Sequence, residues 1–220
     1  MSSNPITNRK TIVVNGVEIP DCSVHMVRPS LLDLASDSES AGWTSQFPNG
    51  YQIRAYQPGD EVSWYHIQRE AEPFFCVAED LFQNQFGDHL ELLPGRMFFV
   101  EALDSNGEST TVGTATAWWK DAWKESGPWG QVHWVAIVPS HQGKGLAKPL
   151  MNQVMRRIAL SHDRAMLGTS TGRVWAIKVY LDYGFFPDKD ELKESKVRYS
   201  WQQIQQILCH PILEESLTLD

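Results

Sequence analysis

Residues 133–147 read His-Trp-Val-Ala-Ile-Val-Pro-Ser-His-Gln-Gly-Lys-Gly-Leu-Ala, an apolar β-type run that turns through closely spaced glycines into a helix. Few segments constrain a fold more. Gly143 and Gly145 lack a Cβ, so the chain there can take left-handed dihedrals and come close to a ligand. The first N–H groups of the following helix have no partner inside it, and the helix dipole is positive at that end. Both features favour a bound anion, and Lys144 and Lys148 add full charge nearby. Such an elbow suits a pyrophosphate. It is not a Walker-type loop, because Gly143-Lys144 is followed by glycine instead of Ser or Thr, and the upstream glycine is missing. Nor is it a dinucleotide fingerprint, whose third small residue would fall at Lys148.

The elbow does fit Gln-x-x-Gly-x-Ala over residues 142–147, preceded by Val138-Pro139. Further on, Ala176-Ile177-Lys178-Val179-Tyr180-Leu181-Asp182-Tyr183-Gly184-Phe185 gives Ala-x-x-hydrophobic-Tyr-x-x-x-Gly-Phe. With two independent motifs in this order and spacing, the chain resembles the GNAT family of acyl-CoA-dependent N-acetyltransferases over residues 51–200. The resemblance implies an α/β (α+β) fold with a mixed, mostly antiparallel central sheet flanked by helices. It divides the chain into an N-terminal extension, residues 1–50, with a small hairpin and a linker, and an acetyltransferase domain, residues 51–220. It also implies acetyl-CoA as the acyl donor and direct attack by a primary amine of a small molecule or peptide in a ternary complex. A non-catalytic acyl-CoA-binding module or sensor, and a transferase using a longer acyl-CoA, are the alternatives.

Site residues follow from the same resemblance. Gln142, Gly143, Lys144, Gly145, Leu146 and Ala147 would surround the pyrophosphate, while the main chain of Val135, Ile137 and Val138 would bond the pantetheine arm as if it were a neighbouring strand. Ala176 belongs to the second motif. Arg173 stands where many relatives have asparagine, and either reaches a cofactor phosphate or makes a surface salt bridge. Tyr180 is the candidate acid for the departing thiolate, a phenol with pKa about 10 being matched to a thiol. Its alternative role is packing against the sheet.

An attacking amine must lose a proton to a base. Some relatives carry a glutamate early in the strand before the elbow, but the matching position here is Gln131, which cannot serve. His133 lies two residues on, on the same face of a strand, and its ordinary pKa of about 6.5 suits the task. A packed, hydrogen-bonded histidine is the competing reading. Glu101 is the alternative carboxylate, unless it belongs to a solvated face.

Composition limits the function class. The net charge of −8 and the absence of a Lys/Arg run longer than two argue against nucleic acid. The 220 residues, 42% apolar, can form one cored domain with or without an appendage. Cys22, Cys76 and Cys209 are far apart, so no metal site is expected and a reduced, cytoplasmic setting fits. No apolar run approaches the length of about 18 residues needed to span a membrane, and MSSNPITNRK lacks the apolar core of a signal peptide. A homodimer is compatible with all of this.

Elsewhere, Asn15-Gly16 between β-branched runs predicts a hairpin over 11–19. Residues 33–50 read as a linker. A strand is expected over 51–56, followed by a helix capped by Asp60. A helix over 77–86 should place Leu81 and Gln85 on adjoining turns and end at Gly87. Strands over 97–102 and 111–118 should pair around Asp104–Gly107. The helix after the elbow buries Leu146, Leu150, Val154 and Ile158, with Lys148, Asn152 and Arg156 pointing elsewhere. A strand over 166–169, a helix over 172–183 and a strand over 197–201 complete the pattern. Trp118, Trp119, Trp123, Trp129 and Trp134 suggest a satellite core, or else a wall for the acceptor. His141 and His162 read as solvated.

Overall fold

A computed structural model describes residues 11–34, 45–124 and 126–218. In chain order its elements are β1 (Thr11–Val14), β2 (Val17–Pro20), β3 (Ser23–Arg28), β4 (Tyr51–Ala55), α1 (Glu61–Ala71), α2 (Leu81–Phe86), β5 (Met97–Leu103), β6 (Ser109–Lys120) and β7 (Trp129–Ile137). There follow α3 (Ala147–Ala159), β8 (Ala165–Ser170), α4 (Val174–Asp182), β9 (Phe186–Pro187), α5 (Ser195–Leu208) and α6 (Pro211–Thr218). This is an α/β fold with antiparallel strands flanked by helices, as the sequence predicts. The described residues form two compact units, one built from 32–34, 45–124 and 126–162 and the other from 11–31 together with 163–218.

The first unit is an antiparallel meander in which β4 pairs with β5, β5 with β6 and β6 with β7. Its β5–β6 turn forms because the Asp104 carboxylate accepts from the N–H groups of Asn106 and Glu108. Helices α1 and α3 both pack on β6 and β7. The predicted apolar stripe of α3 is fully buried, but it is broader than expected and takes in Met151, Met155 and Asn152, which is only 3% exposed. Asp60 does sit at the start of α1. Its carboxylate makes no cap and instead takes two bonds from Arg54, at 2.6 and 2.9 Å, and one from the Gln57 N–H. The helix expected over 77–86 begins only at Leu81, and Gly87, at φ −56°, continues into a 3-10 stretch instead of reversing the chain.

In the second unit β3 is the middle strand, antiparallel to both β8 and β9. The β1–β2 hairpin turns where predicted, with Asn15 at φ 51° and Gly16 at φ 80°, and β2 packs against α5. Residues 197–201 are not a strand. Val197, Ser200, Trp201 and Ile204 form the buried stripe of α5 at helical spacing, whereas Tyr199, which made the segment look alternating, is 50% exposed. Of the predicted linker, residues 35–44 lie outside the described residues, and Leu32–Leu34 form a 3-10 turn.

Candidate functional site

The elbow has the local geometry that its glycines predict. Strand β7 ends at Ile137, a 3-10 turn covers Pro139–His141, and Gly143 and Gly145 follow at φ 74° and 80° before α3 begins. No side chain caps α3, and the N–H groups of Gly143, Lys144, Gly145, Leu146 and Ala147 have no hydrogen-bond partner among the described residues. Gln142, Gly143, Lys144 and Gly145 are exposed, while Leu146 is buried beneath them and anchors the turn. Unbonded donors at the positive end of a helix fit a diphosphate by charge and by hydrogen-bond direction. His141 helps fix the elbow and is not simply solvated. Tyr51 Oη lies 2.9 Å from its Nδ1, and the two rings meet edge to face. Burial first, and then the charge of Lys144, hold its pKa below the usual histidine value. His162 is half-buried as well.

Upstream of the elbow, β7 is irregular. Thr116 faces His133 and Thr114 faces Ala136, so Trp134 and Val135 together oppose the single residue Ala115. This is a β-bulge, and Trp134 carries its strain at φ 50°, a left-handed value that a bulky side chain rarely adopts. Around it lies a network of amides and rings. Gln131 Nε2 is 3.2 Å from His133 Nδ1, and Gln85 Oε1 lies 3.0 Å from His133 Nε2 and 3.1 Å from the indole nitrogen of Trp134. Gln68 Nε2 donates to the Trp134 carbonyl at 3.1 Å. Sequence reasoning put Gln131 and His133 on one face, as found, but missed Gln68 and Gln85. The available signal was an amide at a core-facing helical position: Gln68 lies one turn after buried Trp64, and Gln85 one turn after buried Leu81.

In the other unit, the second motif is the end of α4. The Phe185 N–H bonds the Tyr180 carbonyl and the Gly184 N–H bonds the Leu181 carbonyl, with Gly184 at φ 74°. This paired arrangement is a Schellman cap, and it accounts for the spacing Tyr-x-x-x-Gly-Phe. The ring of Phe185 lies 6.5 Å from that of Tyr180, closing the apolar contact that accompanies such caps. Tyr180 is buried, and its hydroxyl makes no hydrogen bond among the described residues. Burial raises its pKa, an effect the charge of Arg173 opposes in part. Arg173 is the half-buried residue preceding α4, and Ala176 is half-buried on its first turn.

Comparison with known proteins gives these two motifs a common context. The family model described as acetyltransferase (GNAT) family matches residues 46–185. The chain belongs to the GNAT family. Among solved structures, it is similar to a GCN5-related N-acetyltransferase from Sphaerobacter thermophilus, at 19% identity and TM-score 0.55, covering 77% of this chain and 49% of that one. A GNAT-family acetyltransferase from Colwellia psychrerythraea matches at 12% identity and TM-score 0.50, covering 75% and 52%. A Drosophila protein matches at 13% identity and TM-score 0.50, covering 82% and 50%. These likenesses concern the fold, and the chain spans about half the length of those structures. No curated protein matches.

Three expectations need revision against the GNAT domain as it stands. The main chain of Val138 is not open to a ligand strand, because its N–H bonds the Val112 carbonyl and its carbonyl accepts from the His141 N–H. Ile137 already accepts from Gln142 Nε2 at 2.8 Å, and Val135 lies in the bulge, with no residue of β6 in register with it. His133 is a poor base. With Gln85 Oε1 only able to accept, Nε2 carries the proton and Nδ1 accepts from Gln131, so the imidazole is neutral with its lone pair occupied. Burial, aided by the charge of Lys120, lowers its pKa to about 3. Glu101 is not on a solvated face but is 7% exposed, bound by Arg54 Nε at 2.7 Å and Gln52 Nε2 at 2.8 Å. Burial alone would raise its pKa, yet those donors and the Arg54 charge outweigh it and hold the carboxylate below its usual range.

The tryptophans form separate groups. Trp118 and Trp119 meet with tilted rings 4.5 Å apart, the Arg96 guanidinium lies 4.7 Å from the Trp119 ring centroid, and Trp123 packs against Trp129. Trp134 meets Trp64 and Phe75. With Trp118 and Trp129 at 8% exposure, the core reading holds for those two, while Trp119, Trp123 and Trp134 are half-buried. Among the described residues no helix is long and apolar enough to cross a membrane, and no group of His, Cys, Asp and Glu is placed to hold a metal.

Proposed function

We propose that the protein transfers an acetyl group from acetyl-CoA to a primary amine of a small molecule or peptide, the amine attacking directly in a ternary complex. The observation that carries this reading is the row of N–H groups from Gly143 to Ala147, without a partner among the described residues, on a left-handed glycine elbow. Gln142 to Ala147 hold the diphosphate, and the motif positions of Arg173 and Ala176 make them further candidates for cofactor contacts. The bulge at Trp134 and Val135 breaks the ladder with β6 and turns main-chain groups toward the thioester. When bound, acetyl-CoA supplies an activated acyl carbon.

Tyr180 donates its phenolic proton to the departing sulfur, a role supported by its motif position and by a hydroxyl with no hydrogen bond among the described residues. The carbon–nitrogen bond forms as the carbon–sulfur bond breaks. Since neither His133 nor Glu101 is an available base, the amine's proton leaves to water. The rate should therefore climb with pH and follow the acceptor's own pKa.

Thermal unfolding with acetyl-CoA, CoA, ATP and NAD at matched concentrations tests the cofactor. Saturation at 100 times Kd stabilises a fold by about 2.7 kcal/mol. A shift confined to the CoA ligands supports the reading, and no shift with them removes it. Gln131 in place of a glutamate, together with the capped His133, favours a non-catalytic acyl-CoA sensor as the second reading. CoA binding without turnover of any amine in a broad panel, with acetyl-CoA or longer acyl-CoA, would establish it.

A further inference from the structure

The bulge of β7 is held by side chains from two helices, and what they hold is the segment that the acyl-transfer reading places against the thioester. A tryptophan at φ 50° is costly unless its surroundings impose it. Here Gln68 from α1, 3% exposed, donates to the Trp134 carbonyl. Gln85 from α2 accepts from the Trp134 indole and from His133, whose tautomer Gln131 fixes from the other side. Trp64 closes the arrangement edge to face against Trp134 at 5.3 Å. The tie thus reaches the carbonyl, the side chain and the preceding residue of a single strained position. Each member bonds through an amide, an indole or a neutral imidazole, so the position is held by hydrogen bonds and ring contacts.

We infer that Gln68 and Gln85 are positioning residues for the acyl group, fixing the bulged main chain at Trp134 and Val135 so that its polar groups meet the thioester carbonyl. The inference rests on the acetyl-CoA reading above. The two glutamines act through opposite ends of their amides, and this makes the idea specific: Gln68 serves as a donor, Gln85 as an acceptor of two bonds. Gln85→Glu keeps an acceptor at that point, whereas Gln68→Glu sets a carboxylate against a carbonyl oxygen.

The test is the infrared stretch of the thioester carbonyl in carbon-13-labelled acetyl-CoA bound to the protein, recorded beside the affinity for free CoA. Wild type and Gln85→Glu should show a stretch displaced from its value in solution. Gln85→Leu and Gln68→Glu should return it toward that value while CoA affinity, set at the elbow, stays unchanged. In the ligand-free protein, hydrogen exchange of the Trp134 indole should speed up in Gln85→Leu and not in Gln85→Glu. An identical stretch in all four proteins would overturn the inference while leaving the cofactor reading intact. Loss of the displacement in Gln85→Glu as in Gln85→Leu would overturn it too, since any substitution would then suffice. Failure of wild type to bind CoA at all would remove the cofactor reading instead, and the inference with it. If Gln85→Leu does not fold, the contrast between Gln85→Glu and Gln68→Glu decides alone.

Discussion

A histidine set between two glutamine amides, with Phe86 and Trp134 against its ring, keeps both hydrogen bonds only while it is neutral. Its folded pKa of about 3 lies below the ordinary value of 6.5, so between these values the unfolded chain takes up a proton that the native one refuses. The contribution of His133 to stability is fully present above about pH 6.5 and is lost progressively as the pH falls toward 3. Urea unfolding at pH 7 and pH 4.5 should therefore show wild type losing about 2.5 kcal/mol more than His133→Gln, at 1.36 kcal/mol per pKa unit. Equal losses would mean that His133 is more solvated than its contacts imply. Gly143 poses the same kind of question about backbone. A Cβ there meets nothing within 4 Å, so Gly143→Ala is resisted by φ 74° alone, at a cost of about 1 kcal/mol. Binding should suffer more than folding, because the relaxed loop would redirect the N–H groups that the proposed reading sets against the diphosphate. Calorimetric titration with CoA should show at least a fivefold weaker Kd, and an unchanged Kd would take Gly143 out of the site.

At the level of elements, β4 and α1 are joined by an ion network in which Arg54 bonds both Asp60 and Glu101. Removing the cation leaves two partly buried carboxylates facing each other, and loss of one partner from such a site costs about 3 kcal/mol or more. Arg54→Leu should lower the unfolding free energy by that amount at pH 7. The loss should shrink at acid pH as the carboxylates take up protons. A pH-independent loss would instead assign the effect to the Arg54 packing over Phe99. This network also marks the boundary of what the sequence made legible. Hairpins at Asn15-Gly16 and Asp104–Gly107, the elbow and the end of α4 all depend on a glycine or an Asx side chain acting within a few residues, and each was found where its local chemistry put it. Asp60 was read as a cap because only its neighbours in sequence could be considered, whereas its partner Arg54 comes from the preceding strand. Strand β3 escaped notice because Arg28 occupies its buried face beside Val24 and Met26, the arginine being satisfied by the Tyr183 and Ser30 carbonyls. The bulge has no local signature at all, since an extra residue shows only against the strand it fails to match.

Over the whole molecule, sequence order and spatial order part company in the second unit. Residues 11–31 join residues 163–218, and β3 lies between β8 and β9, taking ladder bonds from both. A middle strand cannot be withdrawn without leaving backbone groups on two neighbours unpaired, and β2 would also be stripped from α5. Deleting residues 1–31 should therefore abolish slow hydrogen exchange along β8 and α5, while amides of β5 and β6, whose partners lie within residues 50–138, remain protected. The second motif depends on the same assembly. Arg28 of β3 donates to the Tyr183 carbonyl at 2.8 Å and lies against Gly184, so the Schellman cap that sets the position of Tyr180 is buttressed by a residue remote in sequence. Point substitution separates that buttress from the strand as a whole. Arg28→Met should leave β8 protected but loosen the cap, seen as faster exchange at the Phe185 amide. If Tyr180 is the acid, acetyl transfer should then fall in kcat with little change in the KM for acetyl-CoA. Slow exchange at Phe185 in Arg28→Met would show that Gly184 and the Phe185–Tyr180 contact hold the cap unaided.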